Sequence, residues 1–96
     1  MRQPEPNPKL VEMVVLARSW FAQLLSGKRT SIGDVAKKSG IDRTYISRLI
    51  TLAFLAPDIV ERIATGDHVP TLTPERLRKA CPLPQRWDEQ RALILS

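Results

Sequence analysis

The chain has one cysteine, one histidine, four glycines and few aromatic residues among its 96 positions, and each scarcity closes a class of function. Cys81 has no second cysteine for an internal disulfide, which fits a reducing compartment. With His68 as the sole imidazole and no clustered cysteines, a metal centre lacks a ligand set, and no metal is expected. The glycines are scattered rather than gathered into a phosphate-cradling loop, and neither a paired-carboxylate spacing nor a Cys/His dyad is present. No enzyme and no cofactor are therefore predicted. No apolar run approaches the roughly 20 residues of a membrane span, and the polar, proline-rich start MRQPEPNPK lacks a signal-peptide core. The expectation is a cytoplasmic protein with no membrane partner.

What is present favours helices. Hydrophobic residues make up 43% of the chain, enough for a packed fold. Leu, Ala, Arg, Lys and Glu fill the periodic stretches while β-branched runs stay short, so the predicted fold is all-α, a compact bundle of about five to six short helices around one core. Residues 1–8 carry three prolines and read as a flexible arm or linker, leaving 9–96 as the domain. From 9 to 25 there is no glycine or proline, and Leu10, Val14, Ala17, Phe21 and Leu24 recur at intervals of three and four. Val11, Val15, Trp20 and Leu25 widen that stripe, so this helix should be buried on more than one side, with Trp20 as a packing residue. Gly27 is expected to end it.

Residues 32–51, IGDVAKKSGIDRTYISRLIT, read as a helix-turn-helix. Ile32, Val35 and Ala36 share one face of a short helix. Ser31 and Asp34 resemble a capping arrangement at its start. Gly40 sits where a residue able to take positive φ is needed, Ile41 plugs the corner, and Asp42 caps a second helix whose Ile46, Leu49 and Ile50 point back at the first. Ala36 is small where the helices cross. The second helix is predicted over about 42–54, with Arg43, Thr44, Ser47, Arg48 and Thr51 facing outward. In such a motif the second helix enters the major groove and the first crosses the phosphate backbone. Arg43 and Arg48 suit guanine or phosphate, and Thr44, Ser47 and Thr51 suit either a base or a phosphate.

The charge distribution agrees. The net charge is +5 and the pI near 10. Residues 1–27 balance at +1, residues 53–96 at zero and residues 28–52 at +4, so the excess lies within the motif. Lys28 and Arg29 precede the first helix of the motif, and Ser31, Lys37 and Lys38 lie on or beside it; all five are candidate phosphate contacts.

Beyond the motif, Leu52, Ala53, Phe54 and Leu55 must be covered by further helices. Pro57 and Asp58 open a helix with Ile59, Val60 and Ile63 inward, closed by Gly66. His68 falls in a loop. Thr73, Pro74 and Glu75 start another short helix, and a last one from about 85 to 95 carries Trp87, Arg91, Ile94 and Leu95. That helix either folds back on the core or offers a dimer contact.

The segment DVAKKSGIDRTYISRLI followed by LAPDIVERIATG and TPERL resembles the DNA-binding module of the ParB and KorB partition proteins. It is similar in greater detail to the C-terminal helix-turn-helix region of some phage and bacterial serine recombinases, over about residues 16–95. The resemblance implies that Arg43, Thr44, Tyr45, Ser47 and Arg48 carry the DNA contacts. Nothing in the chain resembles a recombinase catalytic domain or the CTP-binding and dimerisation regions of a partition protein. It reads either as the DNA-binding part of a longer protein or as a small stand-alone phage or bacterial regulator.

Sequence-specific binding of double-stranded DNA, in recombination, partition or transcription regulation, is thus the leading expectation. One recognition helix covers a short half-site, which calls for a homodimer or a tethered catalytic domain. The competing expectation is a helix-turn-helix-derived docking module without DNA specificity, anchored on a protein partner by Trp20, Tyr45 and Trp87.

Overall fold

Six α-helices and one 3-10 segment account for most of the described chain, and among the described residues there is no strand. The computed structural model describes residues 5–26, 31–67 and 71–95. The helices are α1 (Pro8–Leu25), α2 (Ile32–Ser39), α3 (Arg43–Leu49), α4 (Pro57–Thr65), α5 (Pro74–Ala80) and α6 (Trp87–Leu95), with the 3-10 segment Ile50–Phe54 between α3 and α4. The all-α bundle expected from the sequence is what forms.

Helix α1 is the spine. It touches α2, α3, α4 and α5 and packs most extensively on the 3-10 segment, but the buried stripe is narrower than expected, since Val15 and Leu25 face outward. Leu10, Val14, Ala17 and Trp20 are buried, Trp20 at 3% exposure, so this tryptophan packs in the core. Phe21 meets Phe54 edge-on at 4.7 Å between ring centres. The start of α1 differs from expectation. Asn7 is its N-cap, accepting a hydrogen bond from the Lys9 N–H (3.0 Å), and Pro8 is its first helical residue. The arm is therefore helix from Pro8, and its Glu5–Pro6 peptide lies against Gly66. The helix ends at Leu25 with Ser26 as its cap; Gly27, expected to end it, lies outside the described residues.

The second helix of the motif also differs. Only Arg43–Leu49 is α-helical, and the expected continuation to 54 tightens into 3-10 geometry. The spacing explains why. Ile46, Leu49, Leu52 and Leu55 recur every third residue and all are buried. A helix of three residues per turn keeps such a row on one line, where a 3.6-residue turn would rotate it away from the core.

The C-terminal segment folds back rather than standing free. Ile94 is buried, and Gln90 is the only polar side chain buried among the described residues, at 0% exposure. Its amide is fully used: Nε2 donates to the carbonyls of Phe54 (3.2 Å) and Pro84 (2.9 Å), and Oε1 accepts from the Ala56 N–H (2.9 Å). Ala56 is the N-cap of α4 and has no side-chain oxygen of its own. Gln90 does not replace that cap; it satisfies the N–H of Ala56 itself, from 34 residues away along the chain. Helix α6 begins at Trp87, two residues later than expected, and Trp87 and Leu93 remain exposed. Arg91 reaches the Asp58 carboxylate at the start of α4 through two bonds of 2.8 and 3.0 Å. That pairing holds the Asp58 carboxyl below its ordinary value. Among the described residues no helix is long and apolar enough to cross a membrane.

Candidate nucleic-acid interface

Helices α2 and α3 are set by local capping chemistry at each end. At the start of α2 the Asp34 N–H donates to Ser31 Oγ (3.1 Å) and the Ser31 N–H donates to the Asp34 carboxylate (2.9 Å), a reciprocal capping box. The Ser31 hydroxyl also donates to that carboxylate (3.0 Å), and the bonds from the Ser31 N–H first and its hydroxyl second lower the Asp34 pKa. Gly40 ends α2 at φ 71°, with nothing near the place a Cβ would occupy, so it is conformation and not space that calls for glycine there. Asp42 then accepts from the N–H groups of Thr44 (3.0 Å) and Tyr45 (3.3 Å), opening α3.

With Val35, Ile46 and Leu49 buried and Ile32 and Ala36 packed against the core, the remaining side chains of the two helices face out. Lys37 and Lys38 are exposed in the last turn of α2, where positive charge also complements the helix dipole. On α3 the side chains of Arg43, Thr44, Tyr45, Ser47 and Arg48 are exposed. At 100° per residue, Ser47, Thr44 and Arg48 lie across the middle of that outer surface, with Arg43 at one edge and Tyr45 at the other, and Thr44, Tyr45 and Arg48 line a hollow against α5. The side chains of Arg43, Thr44 and Ser47 make no hydrogen bond or ion pair among the described residues, and neither do those of Lys37 and Lys38. Lys28 and Arg29, also expected at the site, lie outside the described residues, as does His68.

Three of the expected contacts have an internal role, the Ser31 hydroxyl in the cap of α2 and Arg48 and Thr51 at the end of α3. The Arg48 guanidinium donates from Nε (3.2 Å) and Nη2 (2.8 Å) to the carbonyl of Cys81, just past the end of α5. Thr51 donates to the Arg48 carbonyl (2.8 Å) and accepts from the Leu83 N–H (2.9 Å). Together they tie the end of α3 to residues 81–83 and so fix how α3 sits on the body. Thr51 is half-buried by these bonds. Burial raises the pKa of the Cys81 thiol, which donates to the Leu77 carbonyl at 3.4 Å.

The arrangement is a short helix with one side locked into the core and the other presenting unpartnered hydrogen-bonding groups and cations. A seven-residue helix is about 10 Å long and spans roughly three base-pair steps. Comparison of the chain with protein-family models, with curated proteins and with solved structures gave no match.

Proposed function

We propose that the chain binds double-stranded DNA sequence-specifically, with α3 as the recognition helix of a helix-turn-helix. The observation that carries this reading is the exposed patch of Arg43, Thr44 and Ser47, whose side chains make no hydrogen bond or ion pair among the described residues, on a helix whose Ile46 and Leu49 are locked inward. Arg43 matches the bidentate geometry of a guanine edge, a contact worth about 1–3 kcal/mol of discrimination. Thr44 and Ser47 suit a base edge or a phosphate, and Lys37 and Lys38 suit the backbone alongside. Arg48 acts as a positioning residue that holds α3 against α5. Such a module serves as the DNA-binding part of a partition-type protein or site-specific recombinase, or as a small phage or bacterial regulator. Its short footprint calls for a second copy or a tethered domain.

The alternative, a docking module, draws support from a hollow of about 700 Å³ beside Phe54 and Trp87, which are 51% and 49% exposed. Trp20 is buried and cannot serve as an anchor. Titration of a labelled 30-base-pair duplex at rising salt separates the two. DNA binding through cations weakens steeply, with log K falling by about 0.9 per phosphate contact for each unit of log salt. A flat response, or no binding to duplex at low salt, rejects the DNA reading.

A further inference from the structure

The sequence places its excess of positive charge in residues 28–52, because residues 53–96 carry equal numbers of acids and bases. The fold separates those later charges. Asp58 is taken by Arg91 and Asp88 by Arg86, both with bonds of 2.8 to 3.1 Å. Arg78 and Lys79, in the last turn of α5, are instead brought beside α3. There they line a hollow of about 270 Å³ together with Thr44 and Arg48.

Three cations share this hollow, and its one acid, Asp42, has a carboxylate oxygen engaged in capping α3. The nearest other carboxylate, Glu75, approaches Arg78 only to 3.9 Å, with both side chains well exposed, so it neutralises little. Lys79 has no partner among the described residues. The position of Arg48 is fixed by its bonds to the Cys81 carbonyl, and the Cys81 N–H donates to the Arg78 carbonyl (3.1 Å), so α3 and the end of α5 are coupled at set spacing. Converged like charges repel, and an anion placed among them removes that repulsion. The hollow opens next to Thr44, on the outer surface of α3.

We propose that this hollow between α3 and the end of α5 is a second DNA-backbone site, in which Arg78 and Lys79 hold phosphates flanking the base pairs that α3 reads. It rests on the DNA-binding reading above and adds a contact element outside the helix-turn-helix. Phosphate contacts position the protein without carrying sequence information, so the two roles respond differently to mutation.

The test is a salt titration of the whole chain against two labelled 30-base-pair duplexes, one selected by the protein and one of random sequence. Replacing both residues, R78A with K79A, is expected to reduce the salt slope by about 2 and affinity by a similar factor on both duplexes. The affinity lost between 50 and 200 mM salt then shrinks about tenfold relative to the unaltered chain. Lys79→Gln alone, an exposed change with no bonds to break, is expected to reduce the slope by about 1 and guards against misfolding of the double variant. An unchanged slope in Lys79→Gln and in a folded double variant overturns the second site while leaving the reading by α3 intact. Loss of preference between the two duplexes overturns the phosphate assignment, since it makes these residues base readers. If the unaltered chain binds neither duplex, the DNA reading and this inference fall together. If the slope holds on DNA while an acidic peptide competes through Arg78 and Lys79, the hollow is a protein-docking site and the inference is rejected.

Discussion

Replacing Gln90 by leucine probes the least local interaction in the fold. The side chain is fully buried, and leucine fills a similar volume, so the change removes hydrogen bonds with little cavity. Three backbone groups lose their partner: the Ala56 N–H and the carbonyls of Phe54 and Pro84. Ala56 is itself fully buried, so water cannot replace that bond. An unsatisfied buried donor costs about 1–3 kcal/mol, and each of the two less buried carbonyls costs about 1 kcal/mol. The expected loss is therefore about 3–5 kcal/mol. For a domain of this size about 4–8 °C of Tm accompanies each kcal/mol, which predicts a fall of at least about 12 °C. Urea unfolding and thermal melts followed by circular dichroism read both quantities. A loss below about 1 kcal/mol refutes the reasoning, because it means that Gln90 fills space and its three hydrogen bonds contribute little.

Further expectations follow from single contacts. Gly40 and Gly66 both hold positive φ, but a Cβ at Gly66 meets the Glu5–Pro6 peptide whereas one at Gly40 meets nothing. Gly40→Ala should cost about 1 kcal/mol and Gly66→Ala clearly more, and removal of residues 1–6 should bring the two close together in urea unfolding. Arg48→Ala should destabilise by about 1–2 kcal/mol through loss of its bonds to the Cys81 carbonyl, an effect that unfolding in the absence of DNA measures. Asp34 and Asp58 have pKa values lowered below 3.8, chiefly by bonds from Ser31 and from Arg91 respectively. A carboxylate with a depressed folded-state pKa stabilises fully above its unfolded value, and that contribution fades as pH falls through the folded one. Melts should therefore lose stability below pH 3.8, and Asp58→Asn should flatten that loss.

What the sequence makes legible is what nearby residues decide. The capping box of Ser31 and Asp34, the Asp42 cap, the left-handed Gly40 and the Thr73 cap of α5 each depend on groups within three or four residues, and each is present. The inward set Val35, Ile46 and Leu49 follows from helical period alone. Distant pairings were not legible. Gln90 serves groups up to 36 residues away, and Arg48 and Thr51 find partners more than 30 residues along the chain, so neither spacing nor composition marks them. Partial signals existed. Gln90 stands four residues before Ile94, on the same face of α6. The three-residue spacing from Ile46 to Leu55 suits a 3-10 turn, and Asn7 before Pro8 has the form of a helix start. Among the candidate contacts, Thr51 shows the same effect as the helix: in the tightened turn its hydroxyl bonds the Arg48 carbonyl and the Leu83 N–H.

The central claim, that the exposed patch of α3 reads DNA sequence, is tested most directly by selection from random duplex DNA. The unaltered chain and Arg43→Ala are run in parallel at about physiological salt. The account predicts an enriched site for the unaltered chain. It also predicts that Arg43→Ala loses preference at one guanine position while still binding duplex in a salt-dependent way. No enrichment by the unaltered chain, or an unaltered site with Arg43→Ala, contradicts it.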